Sequence, residues 1–273
     1  MEPRLGVVAG GGDLPAQIIA ACRARGRDVF VLALKGHADG DFAAVPHAWI
    51  ALGEGGTGIE ILKREGVRDI VLAGRVRRPS LAELRPDRWS ARLLGRLGLS
   101  LFGDNALLAT VVEELESSGF RVVAPETVLD TLLIGEGPLG RHAPDDTARQ
   151  DIARAIVVAR ALGAVDVGQA VVVQERIVLG VEAIEGTDAL LARCAGLRRA
   201  APGGVLVKWS KPGQERRVDL PTVGVATVEG AARAGLRGIA LEAGRTLVVG
   251  RDTVAARADA LGLFGVVVRP DGP

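Results

Sequence analysis

Most of what this chain can fold into is decided by the alternation in its first half. Apolar runs at Leu5–Ala9, Val29–Leu34, 70–73 and 120–123 are separated by stretches of helical spacing at 16–25, 58–64 and 105–117. Strands that are apolar throughout are buried on both faces, and strands separated by helices pair in parallel. The expectation is a Rossmann-like parallel-sheet domain over residues 1–133. Gly135, Gly137, Pro138, Gly140 and Pro144 then break the pattern, so 134–146 reads as a linker. Beyond it come a helix at 147–162, strands Ala170–Gln174 and Ile177–Val181 turned by Glu175-Arg176, and a helix at 187–197. Val205–Lys208, 239–241, 246–249 and 266–268 read as further strands, with helices at 227–234 and 252–261. Residues 147–273 therefore form a separate mixed domain, and the fold class is α/β.

Composition removes several function classes. With 48% hydrophobic and 25% charged residues the chain is globular. A net charge of +1, no tyrosine and 3% aromatics offer nucleic acid neither a basic face nor a stacking platform. Cys22 and Cys194 are far apart, and His37, His47 and His142 lack metal-ligand spacing. Val7-Val8-Ala9 runs directly into Gly10-Gly11-Gly12-Asp13, unlike a secretory signal, and no apolar stretch is long enough to span a bilayer. The expected location is the cytoplasm, with association at the inner-membrane surface left open.

Gly10-Gly11-Gly12-Asp13-Leu14-Pro15 follows the first strand as a dinucleotide fingerprint would. Pro15 stands where that fingerprint has its third glycine, and Leu34-Lys35-Gly36 lacks the ribose-binding acid. A glycine turn at a helix N-terminus still lets backbone amides approach a phosphate; a tight turn is the plainer alternative. Gly74-Arg75-Val76-Arg77-Arg78 places three arginines beyond a strand's carboxyl end, either for an anion or for solvent. Asp104 and Thr187 each read first as a helix cap. Glu182, ending an apolar strand, has no such plain reading, because a buried carboxylate needs a partner. Residues 90–102 carry Leu93, Leu94, Leu97, Leu99, Leu101 and Phe102, with Arg88, Arg92 and Arg96, which suits a core-facing helix with a solvated face, or a lipid surface. The run Lys208-Trp209-Ser210-Lys211-Pro212-Gly213-Gln214-Glu215-Arg216-Arg217-Val218-Asp219-Leu220-Pro221-Thr222 has no amphipathic period and reads as a loop. Its cations suit a phosphate-like anion and its embedded acid a water molecule or a metal. Neither a GxSxG elbow nor a Walker motif occurs.

Four of these motifs together resemble the LpxI family, UDP-2,3-diacylglucosamine pyrophosphatases of lipid A biosynthesis. They are the Gly10–Pro15 turn, Gly103-Asp104-Asn105-Ala106-Leu107-Leu108, Glu182-Ala183-Ile184-Glu185-Gly186-Thr187-Asp188, and 211–224 with its Asp219-Leu220-Pro221-Thr222 core. The resemblance covers nearly the whole chain. It implies two domains with substrate between them, and hydrolysis of UDP-2,3-diacylglucosamine to 2,3-diacylglucosamine 1-phosphate (lipid X) and UMP, with water directed to the sugar-side phosphate. It implies dependence on Mg²⁺ or another divalent cation such as Mn²⁺ or Co²⁺, and it leaves homodimer formation open. Carried onto this sequence, Asp219, Lys211 and Gln214 would be catalytic, and Asp219 and Glu182 would hold metal. Gly11, Gly12, Asp13, Leu14, Gly74, Arg75, Asp104, Asn105, Gly186, Thr187, Asp188, Lys208, Arg217 and Thr222 would bind substrate. Asn105 departs from the second aspartate expected there. The competing readings are a nucleotide-sugar-binding or oxidoreductase module and a non-catalytic lipid-binding protein.

Overall fold

The computed structural model of the chain describes residues 2–77, 84–97, 104–200 and 202–270. Arg78, residues 98–103 of the leucine-rich stretch and the side chains of Leu97 and Asp104 lie outside what is described. The chain forms two compact units. One comprises Met1–Asp130 together with Glu215–Asp219, and the other Thr131–Gln214 together with Leu220–Pro273.

The first unit runs β1 (Leu5–Ala9), α1 (Leu14–Ala24), β2 (Val29–Leu34), β3 (His47–Ile50), α2 (Gly55–Arg64), β4 (Asp69–Ala73), α3 (Arg88–Leu97), α4 (Asp104–Ser117), β5 (Arg121–Val122) and α5 (Pro125–Val128). Its five strands are all parallel in the order β3-β2-β1-β4-β5. The chain reverses direction across the sheet between β1 and β4, which is where ligands bind in doubly wound sheets. β2 is buried along its whole length, as its unbroken apolar run requires. Phe30, Leu32 and Leu34 pack with Ile59 and Leu62 of α2 and with Val112 and Leu115 of α4. Leu93 of α3 is buried while Arg88, Arg92 and Arg96 are exposed, so this helix turns its apolar side inward. Asp69, at the amino end of β4, is buried between Arg27 and Arg121 at 2.6–2.8 Å.

Asp87 joins two helix starts. One oxygen accepts from the N–H groups of Gly56 (2.8 Å) and Thr57 (3.2 Å) in α2, and the other from Ser90 N–H (2.8 Å) in α3. Burial pushes its carboxyl up, but these hydrogen bonds outweigh that and hold it below the usual carboxylate range. Its stabilisation is therefore full above the unfolded-state pKa and is lost as pH falls through the lower folded value. Asp87→Ala should cost about 1–2 kcal/mol at neutral pH. That difference should shrink on acidification, read as converging denaturant midpoints; a pH-independent difference would rule out the capping account.

The second unit runs β6 (Gly137–Pro138), α6 (Asp146–Ala164), β7 (Ala170–Gln174), β8 (Ile177–Val181), α7 (Gly186–Ala195), β9 (Val205–Lys208), β10 (Thr222–Val223), α8 (Val225–Arg233), β11 (Gly238–Glu242), β12 (Leu247–Val248), α9 (Arg251–Ala260) and β13 (Phe264–Val268). The main sheet has the order β6-β13-β11-β9-β7-β8, parallel from β13 to β9 and antiparallel elsewhere. Side chains alternate across it. Val171, Val173, Val205 and Val207 meet Ile152, Ala155 and Ile156 of α6, while Val172, Leu206 and Leu241 meet Leu190 of α7, Val228 of α8 and Val254 of α9. The β7–β8 turn falls on Glu175-Arg176, both left-handed at φ 53° and 64°, as a tight two-residue hairpin requires. The stretch 134–146 does more than link. Ile134 is buried in the core and Gly137–Pro138 pairs with Val266 and Val267 at the sheet edge, where proline's missing N–H is tolerated.

Candidate active site

In the first unit the glycine turn after β1 is tied to its own neighbours. The N–H groups of Gly10, Gly11 and Gly12 donate to Ala73 O (2.8 Å), Arg75 O (2.9 Å) and Asp39 Oδ1 (2.9 Å). Arg75 N–H returns a bond to Gly11 O at 2.8 Å. A Cβ on Gly10 would stand 2.5 Å from Arg75 O, and one on Gly74, at φ 96°, would stand 2.7 Å from Gly11 O. Close approach of two backbones thus explains these glycines. Any contact of the turn with substrate falls to groups other than these three N–H groups. Asp13 and Arg75 are exposed beside it, and Leu14 is buried.

The segment Glu215–Asp219 is bound to α4. Asn105 Oδ1 accepts the N–H of Glu215 at 2.9 Å. Arg217 makes a two-pronged pair with Glu215 (2.9 Å on each prong) and reaches Glu116 of α4 at 2.7 Å. Arg217's hydrogen bonds hold the Glu215 carboxyl low against the opposing effect of burial. Those bonds, with Glu116's charge, raise the Arg217 guanidinium further above its ordinary value. Val218 packs on the first unit's core. The N–H of Asp219 donates to Glu215 O at 3.0 Å, so the carboxylate ends a helical turn and is half-buried. Asn105, in place of the expected aspartate, is thus a backbone anchor for the segment that carries Asp219.

In the second unit the strand ends supply a connected polar group. Lys208, the last residue of β9, is buried; its Nζ donates to Thr187 Oγ1 (3.0 Å) and to Thr222 O (3.1 Å). Thr187 Oγ1 donates in turn to Glu182 Oε1 (2.5 Å), and Glu182 Oε2 accepts Gln169 N–H (3.1 Å). Gln214 Oε1 accepts Lys211 N–H (3.0 Å), and its amide reaches Gln169 Oε1 (3.4 Å). Lys211 Nζ pairs with Asp166 at 2.7 Å. Ser210 donates both its N–H (2.8 Å) and its hydroxyl (2.5 Å) to the buried Glu242. The expectation that Thr187 caps α7 is corrected: the helix already begins at Gly186, φ 78°, and the threonine hydroxyl is spent on Glu182 and Lys208. Asp188 lies in the same first turn.

The expected Lys208, Lys211, Gln214, Glu182, Thr187 and Thr222 therefore share one bonded group, whereas Asn105, Arg217 and Asp219 belong to the first unit. The sequence reading missed Glu242, Ser210, Gln169 and Asp166. Glu242 ends an apolar strand as Glu182 does, so the same burial argument finds it. Both cysteines are free and buried, and burial pushes their thiols up, away from nucleophilic use.

Both oxygens of Glu182 already accept hydrogen bonds, and among the described residues no three His, Cys, Asp or Glu side chains converge on a metal position. Of the two carboxylates expected to hold metal, Glu182 is thus hydrogen-bonded through both oxygens, and Asp219 belongs to the other unit.

Residues 4–132 match the family model of the LpxI N-terminal domain, and residues 135–266 match that of the LpxI C-terminal domain. The chain belongs to the LpxI family. A curated LpxI, the UDP-2,3-diacylglucosamine pyrophosphatase of Caulobacter vibrioides, is 44% identical over 274 residues, covering 98% of each chain. Among solved structures, CobK precorrin-6A reductase is 15% identical at a TM-score of 0.37, covering 100% of this LpxI chain and 90% of its own. A GalE-like L-threonine dehydrogenase from Cupriavidus necator is 12% identical at 0.28, covering 96% and 95%. Neither likeness bears on what the LpxI chain does.

Proposed function

We propose that this chain hydrolyses the diphosphate of UDP-2,3-diacylglucosamine, giving 2,3-diacylglucosamine 1-phosphate and UMP. The observation that carries the reading is 44% identity across 98% of a relative named for that activity. The cation loop supports it chemically. Lys208 at the end of β9 and Lys211 on the loop beyond it are both held by hydrogen bonds, and fixed cations are what a diphosphate needs as charge shifts onto its leaving oxygen. Asp219 is the carboxylate assigned to the attacking water, as its base or through a divalent cation held with waters and substrate oxygens. Such a cation, when bound, supplies positive charge to the phosphate oxygens. Water adds to the sugar-side phosphorus, the bond from that phosphorus to the bridging oxygen breaks, and UMP leaves with that oxygen. A substrate with two acyl chains resides in a membrane leaflet, so the protein works at the inner-membrane surface as a peripheral protein. Among the described residues no helix is long and apolar enough to cross a membrane.

The test is incubation of the purified protein with UDP-2,3-diacylglucosamine and Mg²⁺, Mn²⁺ or Co²⁺ in ¹⁸O-water. UMP should appear and the label should enter the sugar phosphate. Absence of UMP with every cation sinks the assignment in favour of a non-catalytic binding protein, and label in UMP would move the attack to the other phosphorus.

A further inference from the structure

Two buried carboxylates stand on either side of the strand that ends in Lys208. In register, Lys208 lies between Leu241 of β11 and Ala170 of β7. Glu242 follows Leu241 directly. Glu182 donates its N–H to Ala170 O at 2.8 Å. Glu242 is 3% exposed and Glu182 6%. An isolated carboxylate at that depth is costly, and each is compensated by two hydrogen bonds from the cation loop or its supports. Thr187 and Gln169 take both oxygens of Glu182, and Ser210 gives two bonds to one oxygen of Glu242. Arg245 Nε comes only to 3.9 Å from the other oxygen of Glu242.

We infer that Glu182 and Glu242 are positioning residues that fix the two lysines of the loop against substrate phosphate: Glu182 acts on Lys208 through the Thr187 hydroxyl, and Glu242 acts on Lys211 through Ser210. Glu182 is then no metal ligand. The inference rests on the proposed reaction for what the lysines bind. A lysine carries four rotatable bonds, and an ammonium left to search for its anion loses entropy on binding. Here Thr187 Oγ1 and Thr222 O hold the Lys208 ammonium from two directions. Ser210, clamped at backbone and hydroxyl by Glu242, sets where the next residue, Lys211, leaves the sheet.

The probe is UDP, titrated calorimetrically without metal, alongside steady-state kinetics over a range of Mg²⁺. Thr187→Val and Glu182→Ala should each weaken UDP binding and lower kcat by about tenfold. The double variant should be no worse than either single one, because both break one chain of bonds. Thr187→Ser should restore the wild-type values, and half-saturating Mg²⁺ should not move. Glu242→Ala should weaken UDP similarly and Glu242→Gln, which keeps an acceptor for Ser210, should recover it. A tenfold rise in half-saturating Mg²⁺ for Glu182→Ala would make it a metal ligand and overturn the inference. Additive losses, unchanged UDP binding in the variants, or a wild-type protein that does not bind UDP would overturn it too. The expected UDP pattern without UMP release from substrate would uphold the positioning and refute the proposed reaction.

Discussion

Asp219→Ala is expected to lower kcat by about three orders of magnitude while leaving UDP affinity within about twofold of the wild type. The asymmetry follows from where the residue stands. Asp219 ends a turn held by backbone bonds and by the Asn105 anchor, so losing its carboxylate leaves the Glu215 N–H and its own N–H bonded as before. The cations proposed to bind substrate, Lys208 and Lys211, are held instead by Thr187 and Asp166. A group that orients or deprotonates water acts in the transition state and contributes little to ground-state affinity. Asp219→Asn, matched in size but uncharged, should be nearly as slow. Single-turnover rates with saturating substrate check this, and an alanine variant within about tenfold of wild type would remove Asp219 from the mechanism.

Gly168→Ala is expected to destabilise the second unit by about 3 kcal/mol or more, lowering the melting temperature by roughly 5–10 °C. A Cβ there would stand 2.1 Å from Glu182 O and 2.7 Å from Glu182 C. Both are backbone atoms of a residue whose N–H is bonded to Ala170 O, so relief requires parting the ends of β7 and β8. Gly262→Ala is the control. At φ 70°, with open space around it, it incurs left-handed strain alone, about 1–2 kcal/mol. Equal losses at the two sites in thermal unfolding would show that steric crowding at Gly168 is not the cause. Because Glu182 moves with its backbone, residual Gly168→Ala protein should also bind UDP more weakly.

The strands buried on both faces were legible because a continuous apolar run has few other uses; β2, β7 and β9 fall where the sequence puts them. β3 was not, since it lies at the sheet edge and only Ile50 of its four residues is buried, leaving little pattern to read. β10 and β12 have two residues each, and their pairing is set by tertiary contact. In the polar group, the charged run pointed to Lys208 and the family motifs to Thr187 and Thr222, but nothing pointed to Asp166, whose φ of 55° marks it only in three dimensions. Nor could local pattern reveal that the charged loop is shared, with Glu215–Asp219 counted in one unit and the residues on both sides in the other. That division depends on pairings such as Asn105 with Glu215, 110 residues apart.

This shared loop orders events on the ribosome. A nascent chain released as far as Asp130 holds all five strands of the first sheet, yet not the turn that meets Asn105, Glu116 and the core through Val218. The residues from Thr131 to Gln214 must all be translated before that turn emerges. Domains made in sequence usually close in sequence; here the earlier one stays unfinished until most of the later one has been synthesised. A transcript truncated near codon 214 would yield an amino-terminal half lacking its last piece of packing, an open target for proteolysis.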